Sequence, residues 1–344
     1  MFQPRYAITN RLLANIKRVD MLVNELNNRR FPHIVLLELE RTAREVSTYA
    51  STSIEGNPLP LTEVKKILKI KPSHIRDSEK EVLNYNQALQ DLNTKLSEGE
   101  VKLSLDFILK IQEQVMEGLL PKFETGRLRK KPVAVNDPRT GQPVYLPPDI
   151  QDVRSLIKDL VEFINSNKNN IDSLILAGIF HKQMVVIHPF MDGNGRTTRL
   201  VTKALLADMG LNTFDLFSFE SYYNNNVTKY FQTVGEFGNY YDLADKIDFT
   251  GWLEYFTEGI IDELLRVQKL LPGVSVSPES QLKPYHVKIL EYIQEKGFIA
   301  DRVYAKLVTR AKATRALDFQ KLIELGLIER RGKGRATYYI LKEQ

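Results

Sequence analysis

A long apolar helix that runs into a proline and then a Gly-Asn-Gly turn constrains this chain more than any other feature. Residues 172–187 are rich in Leu, Ile, Phe, Met and Val. They lack proline and place Leu174, Ala177, Phe180, Met184 and Ile187 at helical spacing, so they predict a largely buried helix. Pro189 disfavours helical geometry at His188 and ends that helix. Gly193-Asn194-Gly195 then permits a tight turn in which main-chain N–H groups converge. From Asn194 a second helix runs through Leu200, Val201, Ala204, Leu205 and Met209, with Gly210 as its C-cap.

A glycine turn that opens a helix attracts anions, because free N–H groups and the helix dipole both favour negative charge. Arg196 and Arg199 lie three apart near the helix start and share a face. Their guanidinium forks match phosphate oxygens. Asp192 is a hard oxygen ligand, suited to Mg²⁺ that takes its other ligands from water and phosphates. His188 can accept a proton near neutral pH, as deprotonating a hydroxyl nucleophile requires. A histidine after an apolar helix is usually structural, and Gly-Asn-Gly alone is usually a turn. The joint pattern points to nucleotidyl or phosphoryl transfer to a hydroxyl.

The stretch His188-Pro-Phe-Met-Asp192-Gly-Asn-Gly-Arg196-Thr-Thr-Arg199 resembles the signature of the Fic (filamentation induced by cAMP) family, His-x-Phe-x-Asp/Glu-Gly-Asn-Gly-Arg-x-x-Arg, and matches every fixed position. The resemblance implies a helical fold that transfers AMP from ATP to a Ser, Thr or Tyr hydroxyl of a protein, itself included. It implies His188 as general base, Phe190 as the loop's anchor, and Asp192 as ligand to Mg²⁺, or Mn²⁺ in its place. Gly193, Asn194 and Gly195 become the anion nest, Arg196 a phosphate grip, and Arg199 the contact to the γ-phosphate. Relatives that transfer a whole phosphate carry Lys at the second glycine of the turn; Gly195 is intact, which favours AMP transfer.

Composition narrows the setting. The chain has 344 residues and no cysteine, which excludes disulfides and Cys-ligated zinc. Its histidines (His33, His74, His181, His188, His286) are scattered without metal spacing. A net charge of +5 permits nucleic-acid contact without demonstrating it. No apolar core follows the N-terminus as in a signal peptide, and no apolar run approaches the roughly 18 residues that span a bilayer. The expectation is a cytoplasmic protein without membrane contact.

Residues 9–29 predict an amphipathic helix with Leu12, Leu13, Ile16, Val19, Leu22, Val23 and Leu26 on one side. A second helix begins near Val35 and ends in Ser51-Thr-Ser-Ile-Glu55-Gly56-Asn57-Pro58, a strong stop. Glu55 therefore sits near a helix C-terminus, where the dipole disfavours a carboxylate and a cationic partner is expected. Family members with a built-in brake carry Ser/Thr-x-x-x-Glu-Gly/Asn on a helix docked against the active site, and Ser51-x-x-x-Glu55-Gly56 fits. The implied partner is Arg199, and the implied class is the one with an N-terminal inhibitory helix.

Helices are expected over residues 61–68 (Thr62 as N-cap), 78–96, 104–119 and 149–165. Between them, Val133–Val135 and Val144–Leu146 flank a turn cluster and predict a β-hairpin. The resemblance makes that hairpin a flap which clamps the target by strand addition, with Gly126-x-x-Arg129 and Tyr145-Leu-Pro-Pro148 as its borders. Residues 217–231 carry Tyr222, Tyr223, Asn226 and Tyr230 at helical spacing, an aromatic and amide cluster that is either core or the lining of an adenine pocket; the resemblance places Asn226 and Tyr230 at the latter. A core helix over 249–271 closes the series.

Residues 271–284 read as a linker. Beyond it, three helices and two strands around a basic glycine turn resemble a winged helix-turn-helix. Arg315 on its recognition helix, with Arg331, Lys333 and Arg335 on the wing, are candidate DNA contacts; a protein-binding or homodimerising winged helix is the other reading.

The expected fold is mostly α, a Fic-type helical core with a β-hairpin flap followed by a small C-terminal winged-helix domain. Its parts are an N-terminal helical region (1–100, inhibitory helix at about 35–56), a catalytic core (101–270), the linker (271–284) and the winged helix (285–344). An auto-inhibited protein adenylyltransferase leads. A DNA-binding transcriptional regulator with a nucleotide-sensing Fic domain, and an enzyme that removes AMP, stay open beside it.

Overall fold

Apolar residues at helical spacing dominate the sequence, and helices accordingly dominate the computed structural model. It describes residues 2–28, 33–70, 75–99, 101–136, 141–208, 210–211, 218–271, 282–325 and 327–342. They form α1 (Asn10–Asn27), α2 (His33–Ile54), α3 (Leu61–Lys69), α4 (Asp77–Ser97), α5 (Leu105–Val115), β1 (Val135–Asn136), β2 (Pro143–Leu146), α6 (Ile150–Asn167), α7 (Ser173–Ile187) and α8 (Asn194–Asp208). There follow α9 (Glu220–Asn225), α10 (Val227–Val234), β3 (Gly238–Asn239), α11 (Tyr240–Leu243) and α12 (Thr250–Leu270). Last come α13 (Pro284–Lys296), α14 (Asp301–Leu307), α15 (Lys312–Glu324), β4 (Ile328–Arg331) and β5 (Tyr338–Leu341).

Two compact units divide the chain: Met1–Asn28 with Glu40–Leu271, and Arg29–Leu39 with Pro272–Gln344. In the first, α7 is the buried axis; from Leu174 to Ile187 every residue but Val185 is buried. Helix α12 packs on it through Gly178, where a Cβ would lie 2.6 Å from Leu253 Cδ2. The Trp252 indole donates to the Gly178 carbonyl at 2.8 Å. Helices α4 and α5 pack against α8, and α1 lies along α12. Strand β2 pairs antiparallel with β1 and parallel with β3, an addition the local hairpin pattern does not reveal.

The second unit has its own core of Ile289, Leu290, Ile293, Ile299, Tyr304, Phe319, Leu322 and Ile328. Its strands β4 and β5 pair antiparallel from Ile328↔Leu341 to Arg331↔Tyr338. Asp318, almost fully buried, ties its helices together by accepting from the Tyr304 hydroxyl at 2.9 Å and from Arg310 Nε at 2.8 Å.

Several local expectations need correction. Thr62 does not cap α3; the cap is Pro60, whose carbonyl receives the Glu63 and Val64 N–H groups. Leu13 points outward at 43% exposure, off the buried stripe of Leu12, Ile16, Val19, Leu22 and Leu26. Residues 220–234 form two helices, because Asn226 leaves helical geometry (φ −146°, ψ 74°) and its side chain caps α10 by accepting from Lys229 N. The hairpin turn at 137–140 and most of the expected linker, 272–281, lie outside the described residues. Among the described residues no helix is long and apolar enough to cross a membrane.

Candidate active site

Helix α7 delivers His188 directly after its last residue. His188 adopts the left-handed conformation, φ 49° and ψ 62°, and is the non-glycine residue with positive φ among those described. For an L-residue this costs roughly 1–2 kcal/mol, and it turns the chain out of the helix into the loop. Phe190, fully buried, pins the loop, and the Asn194 side chain closes it: Oδ1 accepts from Phe190 N at 2.9 Å and Nδ2 donates to Phe190 O at 3.0 Å. Gly193 takes φ +78°, and a Cβ there would meet Met116 at 2.8 Å. Buried Gln112 holds the loop from below, donating to Asp192 O at 3.2 Å and accepting from Gly126 N.

Both signature arginines are buried, Arg196 at 2% exposure and Arg199 at 0%. Arg199 Nε donates to Ser51 Oγ, and Nη2 to Ser51 O and Glu55 Oε1, each at 2.8 Å. The misplaced helix-terminal carboxylate thus finds its cation 144 residues away in sequence. Burial works to raise the Glu55 carboxyl, yet the charges of Arg199 and Arg196 and the Arg199 hydrogen bond hold it below its ordinary value. Glu55 also covers the turn, since a Cβ at Gly195 would fall 2.0 Å from its Oε1. Gly56, at φ +90°, makes the exit from α2 that an L-residue resists. Arg196 Nη2 donates to Asp192 Oδ1 at 3.2 Å, and Nη1 lies 3.4 Å from Glu81 Oε1.

Behind Arg199 stands a buried polar network. Tyr85, hydrogen-bonded by Ser51, donates to the fully buried Glu220 carboxylate at 2.9 Å. The Tyr230 hydroxyl lies against the Arg199 guanidinium and 2.9 Å from His181 Nε2. Burial, then the Arg199 charge, push His181 far below the usual imidazole range, so it is neutral. Tyr230 is 1% exposed and stacked on Tyr223 with ring centroids 4.8 Å apart. It supports Arg199 and offers no open face to a base, and Asn226 Oδ1 is engaged in capping. In this structure Tyr230 belongs to the packed interior, the other role its aromatic spacing allows.

Three observations bear on what the site can hold. Arg196 Nε and Arg199 Nη1 are buried without hydrogen-bond acceptors, while Arg196 Nη1 has the Glu81 carboxylate 3.4 Å away as an ion-pair partner. Arg199 Nη1 lies 3.0 Å from where a Gly195 Cβ would stand, so it faces the turn. Unpaired buried donors are costly, and anionic oxygens are what guanidinium forks suit. Asp192 is exposed, and no group of three or more His, Cys, Asp or Glu that could hold a metal exists among the described residues. That donor set fits a magnesium ion carried largely by water and phosphate oxygens, with Asp192 as the protein's ligand. Burial lowers the His188 imidazole from its ordinary range, against the raising pull of the Val185 carbonyl and Glu55, so the ring is a free base near neutral pH.

In the second unit the candidate DNA contacts are not alike. Arg315 donates from Nε and Nη2 to Asp301 at 2.7 and 2.9 Å and from Nη1 to the Arg310 carbonyl at 2.7 Å. It is a staple between α14 and α15 in this structure. Arg331 is exposed and paired with Glu329, and Lys333 is exposed in the β4–β5 turn; the side chain of Arg335 lies outside what is described.

A helical core that brings a base, a glycine turn and two buried arginines together is suited to bind anionic oxygens. Comparison makes this specific for part of the chain: residues 102–206 match the model of the Fic/DOC family. It is 33% identical over 180 residues to protein adenylyltransferase fic-1 of Caenorhabditis elegans, covering 50% of this chain and 34% of that one. It is 28% identical over 212 residues to protein adenylyltransferase Fic of Nematostella vectensis, covering 58% and 48%. The chain thus spans between a third and a half of these curated relatives. The crystal structure of a Fic family protein from Desulfovibrio desulfuricans shares the fold, with TM-score 0.66 at 22% identity over 100% of this chain and 99% of that one.

Residue types alone could not single out Arg129, Gln112, Tyr85 or Glu220. Their partners lie 59, 80 and 135 positions away, and the only local signal was the Gly126-x-x-Arg129 border.

Proposed function

We propose that this protein transfers AMP from ATP to a hydroxyl side chain of a protein and that Glu55 restrains the reaction. The observation that carries the reading is a pair of buried guanidinium donors without acceptors, Arg196 Nε and Arg199 Nη1, the latter facing the glycine turn, beside a His188 whose pKa burial lowers. In the reaction His188 removes the proton of the incoming hydroxyl. That oxygen bonds to the α-phosphorus as the bond to the bridging oxygen breaks, and diphosphate leaves. The start of α8 and the two arginines bind the phosphate oxygens. A divalent metal held by Asp192 supplies charge neutralisation there. The protein relatives' names support the reaction class, and the intact Gly195 supports AMP over phosphate transfer.

The restraint rests on the Glu55–Arg199 pair. It occupies the arginine that would otherwise reach the γ-phosphate, and it fills the space over Gly195. A triphosphate bound around it would present its α-phosphorus off line, and small misplacements are costly.

For the second unit we keep the winged-helix reading, supported by α13–α15 followed by the β4–β5 hairpin. Residues 272–344 hold fourteen Lys and Arg against eight Asp and Glu, so the chain's net positive charge resides there. With Arg315 internally engaged, Arg331 and Lys333 on the hairpin are the remaining described DNA candidates.

Wild type, Glu55→Gly and His188→Ala incubated with α- and γ-labelled ATP test the reading. Protein labelled from the α position only, strongest in Glu55→Gly and absent in His188→Ala, is expected. Label from the γ position, or loss of pre-installed AMP without labelling, would overturn it.

A further inference from the structure

The left-handed backbone of His188 needs something to hold it, and the C-terminal carbonyls of α7 need donors. One part of the fold meets both needs. The Tyr145 hydroxyl donates to Val186 O at 2.9 Å, Arg129 Nε to His188 O at 2.9 Å, and Arg129 N to Pro189 O at 2.9 Å. Tyr145 belongs to β2, and Arg129 precedes β1. Both side chains are almost fully buried. The same guanidinium reaches the Pro148 carbonyl through Nη2, just past β2. Arg129 therefore joins three segments, the entry of the hairpin, its exit and the loop that carries His188. Its charge also sits at the C-terminal end of α7, where the dipole favours a cation. The Gln112 bridge from Gly126 to Asp192 makes a parallel tie from the hairpin's root to the far side of the loop.

We propose that Arg129 is a positioning residue, whose guanidinium locks the strained backbone of His188 by anchoring it to both ends of the β1–β2 hairpin. The histidine's aim is set by the hairpin as much as by α7. The planar fork matters: a lysine at 129 can serve one carbonyl and cannot reach His188 O and Pro148 O together. This inference rests on His188 being the base of the transfer proposed above.

The test uses the full chain carrying Glu55→Gly, with Arg129→Lys, Arg129→Ala and Tyr145→Phe added singly. Arg129→Lys is expected to lower kcat for α-label transfer on the order of ten- to a hundred-fold, with KM for ATP within about two-fold, because the phosphate contacts are untouched. Millimolar guanidinium should restore part of the rate in Arg129→Ala. Tyr145→Phe, which deletes one hydroxyl, should give a smaller loss of the same kind. An unchanged kcat in Arg129→Lys, or a KM for ATP that rises in step with the fall in kcat, overturns the proposal. The His188 ¹³Cα chemical shift, which reports backbone dihedrals, is a readout independent of activity. It is expected to leave the left-handed range in Arg129→Lys, and retention of the wild-type shift overturns the proposal. If Glu55→Gly transfers no label, the transfer reading fails while this shift still decides the role of Arg129.

Discussion

Arginine is used in opposite ways in the two units. In the first, Arg196 and Arg199 are buried deeply and leave donors without acceptors. In the second, Arg315 spends Nε, Nη1 and Nη2 on Asp301 and the Arg310 carbonyl. Arg310 is likewise held by Asp318 and lies over the Tyr285 ring at 3.6 Å. A guanidinium with every arm engaged is a structural fastener. One that is buried with an arm unused suits an anion, because that arm's desolvation is left uncompensated. Sequence position suggested the reverse for Arg315, which sits where a recognition helix would offer a basic side chain.

The sharpest way to break this contrast is at the base that stands beside the receptive arginines. In the Glu55→Gly background, His188→Ala is expected to lower α-label transfer by about 10²–10⁴-fold, the usual contribution of a positioned base, while ATP binding by calorimetry persists. Loss of binding with the rate would move His188 into the phosphate site.

Next comes the pair itself. Arg199 is fully buried and Glu55 partly exposed; freeing the arginine by Glu55→Gly lets it align the triphosphate and should raise self-labelling on the order of ten- to a hundred-fold. Equal labelling of mutant and wild type would mean that Arg199 is as fully committed as Arg315.

The pH dependence gives a smaller effect with a defined sign. The His188 ring must be neutral to accept a proton, and burial depresses its pKa below the ordinary 6.5. Transfer should therefore rise with pH along a limb whose midpoint lies below 6.5, then level off. Around the ring, the Val185 carbonyl, Glu55 and Asp192 favour its protonated form and Arg129 opposes it. Deleting the Glu55 carboxylate should move the limb to still lower pH, and a limb at or above 6.5 would contradict the neutral-base assignment.

Smallest is the fastener. Arg315→Ala should lower the thermal midpoint of the second unit slightly and leave AMP transfer within about two-fold of its parent. A fall in DNA affinity by gel shift without any change in that midpoint would return Arg315 to the role its position suggests.

Much of the first unit was legible because its signals are local. The apolar run of α7, the proline after His188 and the paired glycines mark helix, break and turn within forty residues, and the observed ends of α7 and α8 fall close to the expected ones. That Glu55 has a cationic partner was inferable from a carboxylate at the wrong end of a dipole, and the resemblance supplied its identity, Arg199. What escaped depends on contacts made across the fold. The pairing of β2 with β3 joins Tyr145 to Gly238, and no periodicity announces it. Tyr230 and Asn226 share a helical spacing, yet one is stacked in the interior and the other breaks the helix to cap its neighbour. Arg315 has the composition of a DNA contact, and only the placement of Asp301 at the start of α14 turns it inward.

Gly195 and Glu55 compete for one volume. The three atoms nearest a methyl group on residue 195 would all be side-chain atoms, two of the Glu55 carboxylate and Arg199 Nη1. A chain that acquired any side chain at this glycine would thereby expel the glutamate from its seat, whether or not position 55 changed. Enlarging the turn and keeping the clasp are mutually exclusive inheritances, so a variant altered at 195 cannot be assumed to report on the turn alone.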